Sequence, residues 1–311
     1  MPSGITTAET LDYISSALSL AILLLRLSLE LRRQREFDLN FYLASASIAS
    51  VVGRLVATHY YIKFGAVGET PAGSGSEHVD PDEAKVGEIL VLVARILFTA
   101  TLWLQICLIL SFYARLVHGV TMVTWALRIV WIAVVSTFIA VVLATFLECR
   151  PFELYWKKAP EVDYCTRAYA QLLLQTCSNS VLDVVVLIIA YPLTRLPKHS
   201  WSTRARLYVL VGMGLMCIGI TIARAVQIFQ QPNQNIRSIW ASVQIAVAIF
   251  VGNAPSIYGS LKLLKRARTT SDHDRSFGIA ESNDSNRPPP LVGLHSVLGN
   301  TDADTTPTST S

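Results

Sequence analysis

Seven stretches of this chain are apolar for about as long as a bilayer is thick, and that repetition constrains the fold more than any other feature. A hydrocarbon core of about 30 Å needs roughly 20 helical residues to cross it. The stretches run from about Leu11 to Leu31, Phe41 to Ile62, Val86 to Tyr113, Ile129 to Leu147, Ala168 to Leu193, Leu207 to Phe229 and Ile239 to Leu261. Away from water every backbone N–H and C=O must be satisfied within the segment, so each stretch is expected to be a helix. The chain is 52% hydrophobic and 15% charged, against about 25% charged in soluble domains. Seven spans use about 140 to 175 residues, which leaves room for loops and a tail but not for a second folded domain. The expectation is an all-α polytopic membrane protein, a seven-transmembrane-helix bundle over residues 1–264.

Orientation follows from the cations beside the spans. One side carries thirteen, including Arg32, Arg33, Arg35, Arg115, Arg195, Arg204, Lys265 and Arg266, and the other seven, among them Lys63, Lys85, Arg150 and Arg237. The richer side is expected in the cytoplasm, which puts the N-terminus outside and the C-terminus inside. Residues 265–311 are rich in Ser, Thr, Asp, Asn and Pro and are expected to be a disordered cytoplasmic tail. The first residues lack a basic segment and a small-residue cleavage site, so the first apolar run is expected to be a retained helix and not a signal peptide. Cys149 and Cys165 flank the loop between the fourth and fifth spans on the non-cytoplasmic side, where a disulfide is expected; two free thiols are the alternative.

Ionisable residues inside the spans carry the chemical information, because each costs at least about 2.5 to 3.5 kcal/mol at a helix centre if unpaired. They are Arg54, His59, Glu88, Arg95, Asp183 and Arg224, with Arg26 set aside because Glu30 follows it by one turn. At about 1.5 Å of rise per residue, Arg54, Arg95 and Arg224 lie at one level toward the outer end. Gln171, Gln175, Asn179 and Asp183 recur every four residues and line one helix face. Gln105 and Gln244 extend that stripe. These residues predict an outward-opening polar cavity, cationic at its mouth and amide-lined, with Asp183 at its floor. Such a cavity suits a small lipophilic or anionic ligand bearing a carboxylate, phosphate or carbonyl oxygen. A purely structural network, in which the charges neutralise one another between helices, is the competing reading.

Several absences narrow the field. No Lys lies between Ile239 and Leu261, so a retinal Schiff base in the seventh span is ruled out. A phosphate-binding G-x-x-x-x-G-K-[ST] loop, a G-x-S-x-G elbow, an H-E-x-x-H helix and a zinc-type C-x-x-C pairing are all missing. No metal, cofactor or nucleic acid is expected. Asn253 and Pro255 place a kink in the seventh span, with the amide expected to satisfy the carbonyl that the proline frees.

Together the landmarks resemble a family, the fungal rhodopsin-like seven-helix proteins, which include the integral membrane protein of satratoxin-type toxin clusters and fungal receptors that sense plant surfaces. The matching pieces are Phe112-Tyr113-Ala114-Arg115-Leu116, then Cys149-Arg150-Pro151 with Trp156 and Cys165, and Asn179-Ser180-Val181-Leu182-Asp183 before Pro192. Arg224 and the run from Trp240 through Gln244 to Pro255 complete the set, and the likeness spans about Leu11 to Leu264. The sequence departs where members commonly show paired acids entering the second span, here Asp38 alone, and a glutamate in the seventh, here Gln244. The Gly-rich His motif is reduced to Thr58-His59 with Gly65 and Gly68.

The resemblance implies a membrane protein often encoded with secondary-metabolite genes and receptor-like in form, with no catalytic set to carry over. The leading expectation is thus a pathway membrane component acting on a lipophilic intermediate, a cyclase or isomerase if an enzyme, with Asp183 or Glu88 moving a proton. Arg54, His59, Arg95, Gln171, Gln175, Asn179, Arg224 and Gln244 would contact the ligand. The alternative is a sensor like a G-protein-coupled receptor, in the plasma membrane or endoplasmic reticulum, with a cytoplasmic signalling partner at the basic loops and tail.

Overall fold

Each apolar stretch becomes a helix. In the computed structural model the described residues are 3–33, 38–63, 81–116, 121–149, 169–194, 201–230 and 234–284. They hold seven helices: α1 (Ser3–Arg33), α2 (Leu39–Lys63), α3 (Pro81–Leu116), α4 (Thr121–Leu147), α5 (Tyr169–Thr194), α6 (Trp201–Gln230) and α7 (Gln234–Asp284). Six are long and apolar enough to cross a bilayer. The seventh, α6, carries a shorter apolar stretch, Val211–Gln227, because Arg204 and Arg206 stand in its first turns.

Which face of each helix turns inward follows from the solvent. In α1 the buried positions are Asp12, Ser16, Ser19, Leu23, Arg26 and Leu29, whereas Leu11, Ile14, Leu18, Leu24, Leu25 and Leu31 are exposed. Spacings of three or four residues keep the first set on one stripe. Polar groups inside and leucines outside is the arrangement that hydrocarbon favours, since polar side chains there need protein partners. Helix α4 is apolar on both faces: Val130, Val134 and Val141 point in, while Ile129, Ile132 and Ile139 point out.

Helix α3 is the hub. Its residues Phe98, Leu102, Trp103, Ile106, Leu110 and Tyr113 enter one core cluster with Val130 and Val134 of α4, Leu182 and Val186 of α5, and Ile245 and Ile249 of α7. Trp103 fixes α4 by donating its indole N–H to Thr137 Oγ1 at 3.1 Å. A Cβ on Gly252 would sit 2.8 Å from Gln105 Oε1, so glycine there lets α7 approach α3 closely.

Helix α7 departs from expectation twice. The Asn253 amide donates to the carbonyl of Ile249 at 2.6 Å, not to that of Val251, whose bond Pro255 removes. Its backbone also stays helical to Asp284, beyond the tail boundary expected after 264; proline is absent until Pro288. The described residues divide into two units at about Lys262. Cys149 is buried, while Cys165 lies outside the described residues, as do Trp156 and the basic loop 195–200.

Candidate functional site

The upper end is taken as the end where α1, α3, α5 and α7 begin. Its anchor is Asp12. Arg54 Nη2 of α2 lies 3.1 Å from Asp12 Oδ1 and donates to Ser242 Oγ of α7 at 3.2 Å. Ser242 in turn donates its hydroxyl to Asp12. All three are buried, so one compensated ion pair ties α1, α2 and α7 together.

Arg224 of α6 is held differently. Its guanidinium lies over the Phe98 ring, 4.2 Å from the centroid, well within cation–π range. Nη1 donates to Gln244 Oε1 at 2.8 Å, and Gln244 Nε2 donates to Thr221 Oγ1 at 3.0 Å. Asn179 Nδ2 reaches Asp183 Oδ2 at 3.1 Å and Thr221 Oγ1 at 3.4 Å. A hydrogen-bonded chain thus crosses from α6 through α7 to α5. Glu148 sets the start of α5, its two carboxylate oxygens accepting from the backbone N–H groups of Ala170 (2.8 Å) and Gln171 (3.3 Å). A carboxylate at a helix N-terminus is favourable on both hydrogen-bond and dipole grounds, and it fixes where the Gln171 stripe begins.

Two chambers lie along this chain. The upper one, about 100 Å³, is lined by Arg54, Arg95, Arg224 and Arg237 with Gln171, Gln175, Tyr61 and Phe98, and among the described residues no acid lines it. The lower one, about 40 Å³, is mostly apolar, with Asn179, Asp183, Thr221, Gln105 and Gln244 as its polar walls.

The expected convergence of Arg54, Arg95 and Arg224 with Gln171 and Gln175 is present. The single cavity floored by Asp183 is not: Asn179, Asp183 and Gln244 belong to the lower chamber, and the Arg224–Gln244 bond links the lining of one chamber to that of the other. His59 and Glu88 line neither chamber; His59 instead pairs its Nδ1 with Tyr13 Oη at 2.7 Å on the exposed surface. Sequence reasoning missed Asp12, Ser242, Phe98 and the chamber role of Arg237. Asp12 was discoverable, because it heads the stripe through Ser16, Ser19 and Arg26. Ser242 and Phe98 carry no such signal. Among the described residues no cluster of three or more His, Cys, Asp or Glu side chains could hold a metal.

Residues 25–263 match the family described as the fungal rhodopsin domain, and the chain belongs to that family. No curated protein matches it.

Proposed function

We propose that this fungal rhodopsin-domain protein is a membrane-embedded sensor whose small, oxyanion-bearing ligand seats in the arginine-lined chamber and biases helix packing. One observation carries the reading. Among the described residues, Arg224 Nε and Gln175 Nε2 are buried, can only donate, and have no hydrogen-bond partner, and both line the chamber that no described acid lines. A buried donor left unmade costs about 1 to 3 kcal/mol. Water would answer the hydrogen bonds but not the charge, whereas an oxyanion answers both. Arg54, already neutralised by Asp12, serves the fold, and Arg224 serves the ligand.

On this reading the excess of cations near the opposite span ends puts the chamber on the non-cytoplasmic side of the plasma membrane or endoplasmic reticulum. A Cys149–Cys165 bridge would close the loop beside it. The response would be read at Arg115, the 195–206 loop and the tail by a signalling partner. The test replaces the native copy with Arg224→Gln and follows transcription after small carboxylates are supplied. Loss of the response with the protein still in the membrane is expected. An unchanged response overturns the reading.

A second reading, a secondary-metabolite pathway component acting on a lipophilic intermediate, is favoured by Asp183. This carboxyl faces a mostly apolar chamber with Asn179 as hydrogen-bond donor and, among the described residues, makes no ion pair. Microsomes incubated with pathway intermediates should then lose turnover in Asp183→Asn. Equal turnover in the variant removes Asp183 from the chemistry.

A further inference from the structure

We infer that the ligand is a short amphipathic carboxylate, its carboxylate held in the arginine chamber and its apolar chain passing Gln244 into the lower chamber. The inference rests on the sensor reading and names the ligand class for that same site.

Four helices contribute to both chambers at positions three or four residues apart: Phe98 then Leu102 on α3, Gln175 then Asn179 on α5, Arg224 then Thr221 on α6, and Ala241 then Gln244 on α7. Three or four residues of helix rise about 4.5 to 6 Å, so the chambers are stacked along the bundle axis one turn apart. The Arg224–Gln244 hydrogen bond joins the wall of the upper chamber to that of the lower one, and the Gln244–Thr221 bond continues along the lower wall. A carboxylate that takes Arg224 as its partner competes for the bond that holds the Gln244 amide, whose side chain can then turn aside.

The two chambers ask for opposite chemistry. The upper one offers guanidinium groups and the unpartnered Gln175 Nε2. The lower one offers Leu102, Ile106, Val186, Ile220 and Val247. A bare ion leaves the apolar space unfilled, and a purely apolar molecule leaves the buried donors unanswered. A carboxylate with a chain of about four to six carbons spans one helical turn and meets both needs. Asp183, on the wall of the lower chamber, sets the limit, since a longer chain would press apolar carbon onto a carboxyl group.

The test uses the full chain purified in detergent, with melting temperature followed in sodium acetate, butyrate, hexanoate and decanoate against matched sodium chloride. Affinity should rise about fourfold per methylene from acetate to an optimum near butyrate or hexanoate, then fall at decanoate. Ligand at a hundredfold excess over Kd should raise the melting temperature by about 5 °C or more. Ala248 lines the lower chamber and not the upper one, so Ala248→Phe should flatten the length dependence while keeping acetate binding. Leu102→Ala should move the optimum to a longer chain, which covers the case in which the phenylalanine variant fails to fold. If acetate and hexanoate bind equally and Arg224→Gln abolishes both, the chain-length inference falls and the oxyanion reading stands. If no carboxylate exceeds chloride, both fall. Affinity that climbs unbroken to decanoate and ignores Ala248→Phe reports partition into the micelle or a bilayer-derived fatty acid, and overturns the inference.

Discussion

The two ends of this bundle bury arginine in opposite ways. At the lower end, Arg26 Nε faces Glu30 Oε2 at 3.8 Å, Arg115 lies 4.0 Å from Glu30 and 2.9 Å from Asp38, and Arg26 Nη1 donates to Asn253 Oδ1 at 2.8 Å. Two cations meet two acids. Among the unsatisfied atoms there, Arg26 Nε and Glu30 Oε2 are a donor and an acceptor turned toward each other. At the upper end the unsatisfied atoms of Arg224 and Gln175 are both donors, beside a chamber that no acid among the described residues lines. Matched deficits compensate in place; a deficit of one sign asks for an acceptor that the described residues do not supply. Membrane burial of charge is therefore weak evidence of function by itself, and the sign of what is left over carries more.

The largest effect that sharpens this comparison lies within the upper end. Arg54→Ala should strip Asp12 of its cation in a buried setting and cost about 3 to 5 kcal/mol, seen as aggregation or a lower melting temperature in detergent. The double variant Asp12→Asn with Arg54→Gln should recover much of that loss. Arg224→Gln, by contrast, should leave the melting temperature near wild type while carboxylate binding is lost. Equal damage from Arg54→Ala and Arg224→Gln would return all of the arginines to one structural network.

Next in size is the expected bridge. Closing a loop of about 15 residues contributes roughly 3 kcal/mol, so Cys149→Ser should lower the melting temperature about as much as reducing agent lowers that of the wild type. No change under either treatment would mean two thiols at this site.

Asn253 follows, and it tests the lower end. Its amide donates to Gln105 Oε1 at 2.9 Å and accepts from Arg26, while Gln105 Nε2 donates to Ser47 Oγ at 3.3 Å, so one side chain joins α1, α3 and α7. Asn253→Leu should cost about 2 kcal/mol, since a hydrogen bond to a charged group contributes roughly 1.5 to 3 kcal/mol. The loss should appear in thermal stability, with carboxylate affinity nearly unchanged.

Much of this was legible in the sequence, and the reasons differ by region. Span positions came from hydropathy alone, because hydrocarbon penalises charge without regard to context: Lys85–Arg115 and Ile236–Lys262 lie within a few residues of expectation. Helix α4 begins at Thr121, well before the expected Ile129, because Arg128 interrupts the apolar run; in the fold its guanidinium lies 5.4 Å from the Trp125 ring centroid and the helix continues past it. Convergence of Arg54, Arg95 and Arg224 followed from counting rise. The Arg224–Gln244 bond did not, since it depends on which acceptor a long side chain selects, and spacing along one helix says nothing about its neighbours. Asp12 was overlooked because it sits one residue inside the first span, where a carboxylate is ordinarily free to reach water.

The smallest expected effect is the one that asks whether exposure separates the two ends. Asp38 and Arg115 are 2.9 Å apart with side chains 43% and 38% exposed, so their pair is screened and contributes about 0.2 to 1 kcal/mol. Asp38 also opens α2: its carbonyl accepts from the N–H groups of Phe41 at 2.9 Å and Tyr42 at 3.4 Å, and its carboxylate sits at the positive end of the helix dipole. Asp38→Asn keeps the backbone acceptor and a good capping side chain, so it removes little beyond the charge pair. Its melting temperature should fall by no more than about 4 °C. The same variant frees Arg115, which Asn40, with its amide oxygen turned toward the guanidinium, can still hold at 2.9 Å from Nε. A loss as deep as that expected of Arg54→Ala would show that the lower pair is as buried in energy as the upper one, and the contrast between the two ends would then rest on the unpaired donors alone.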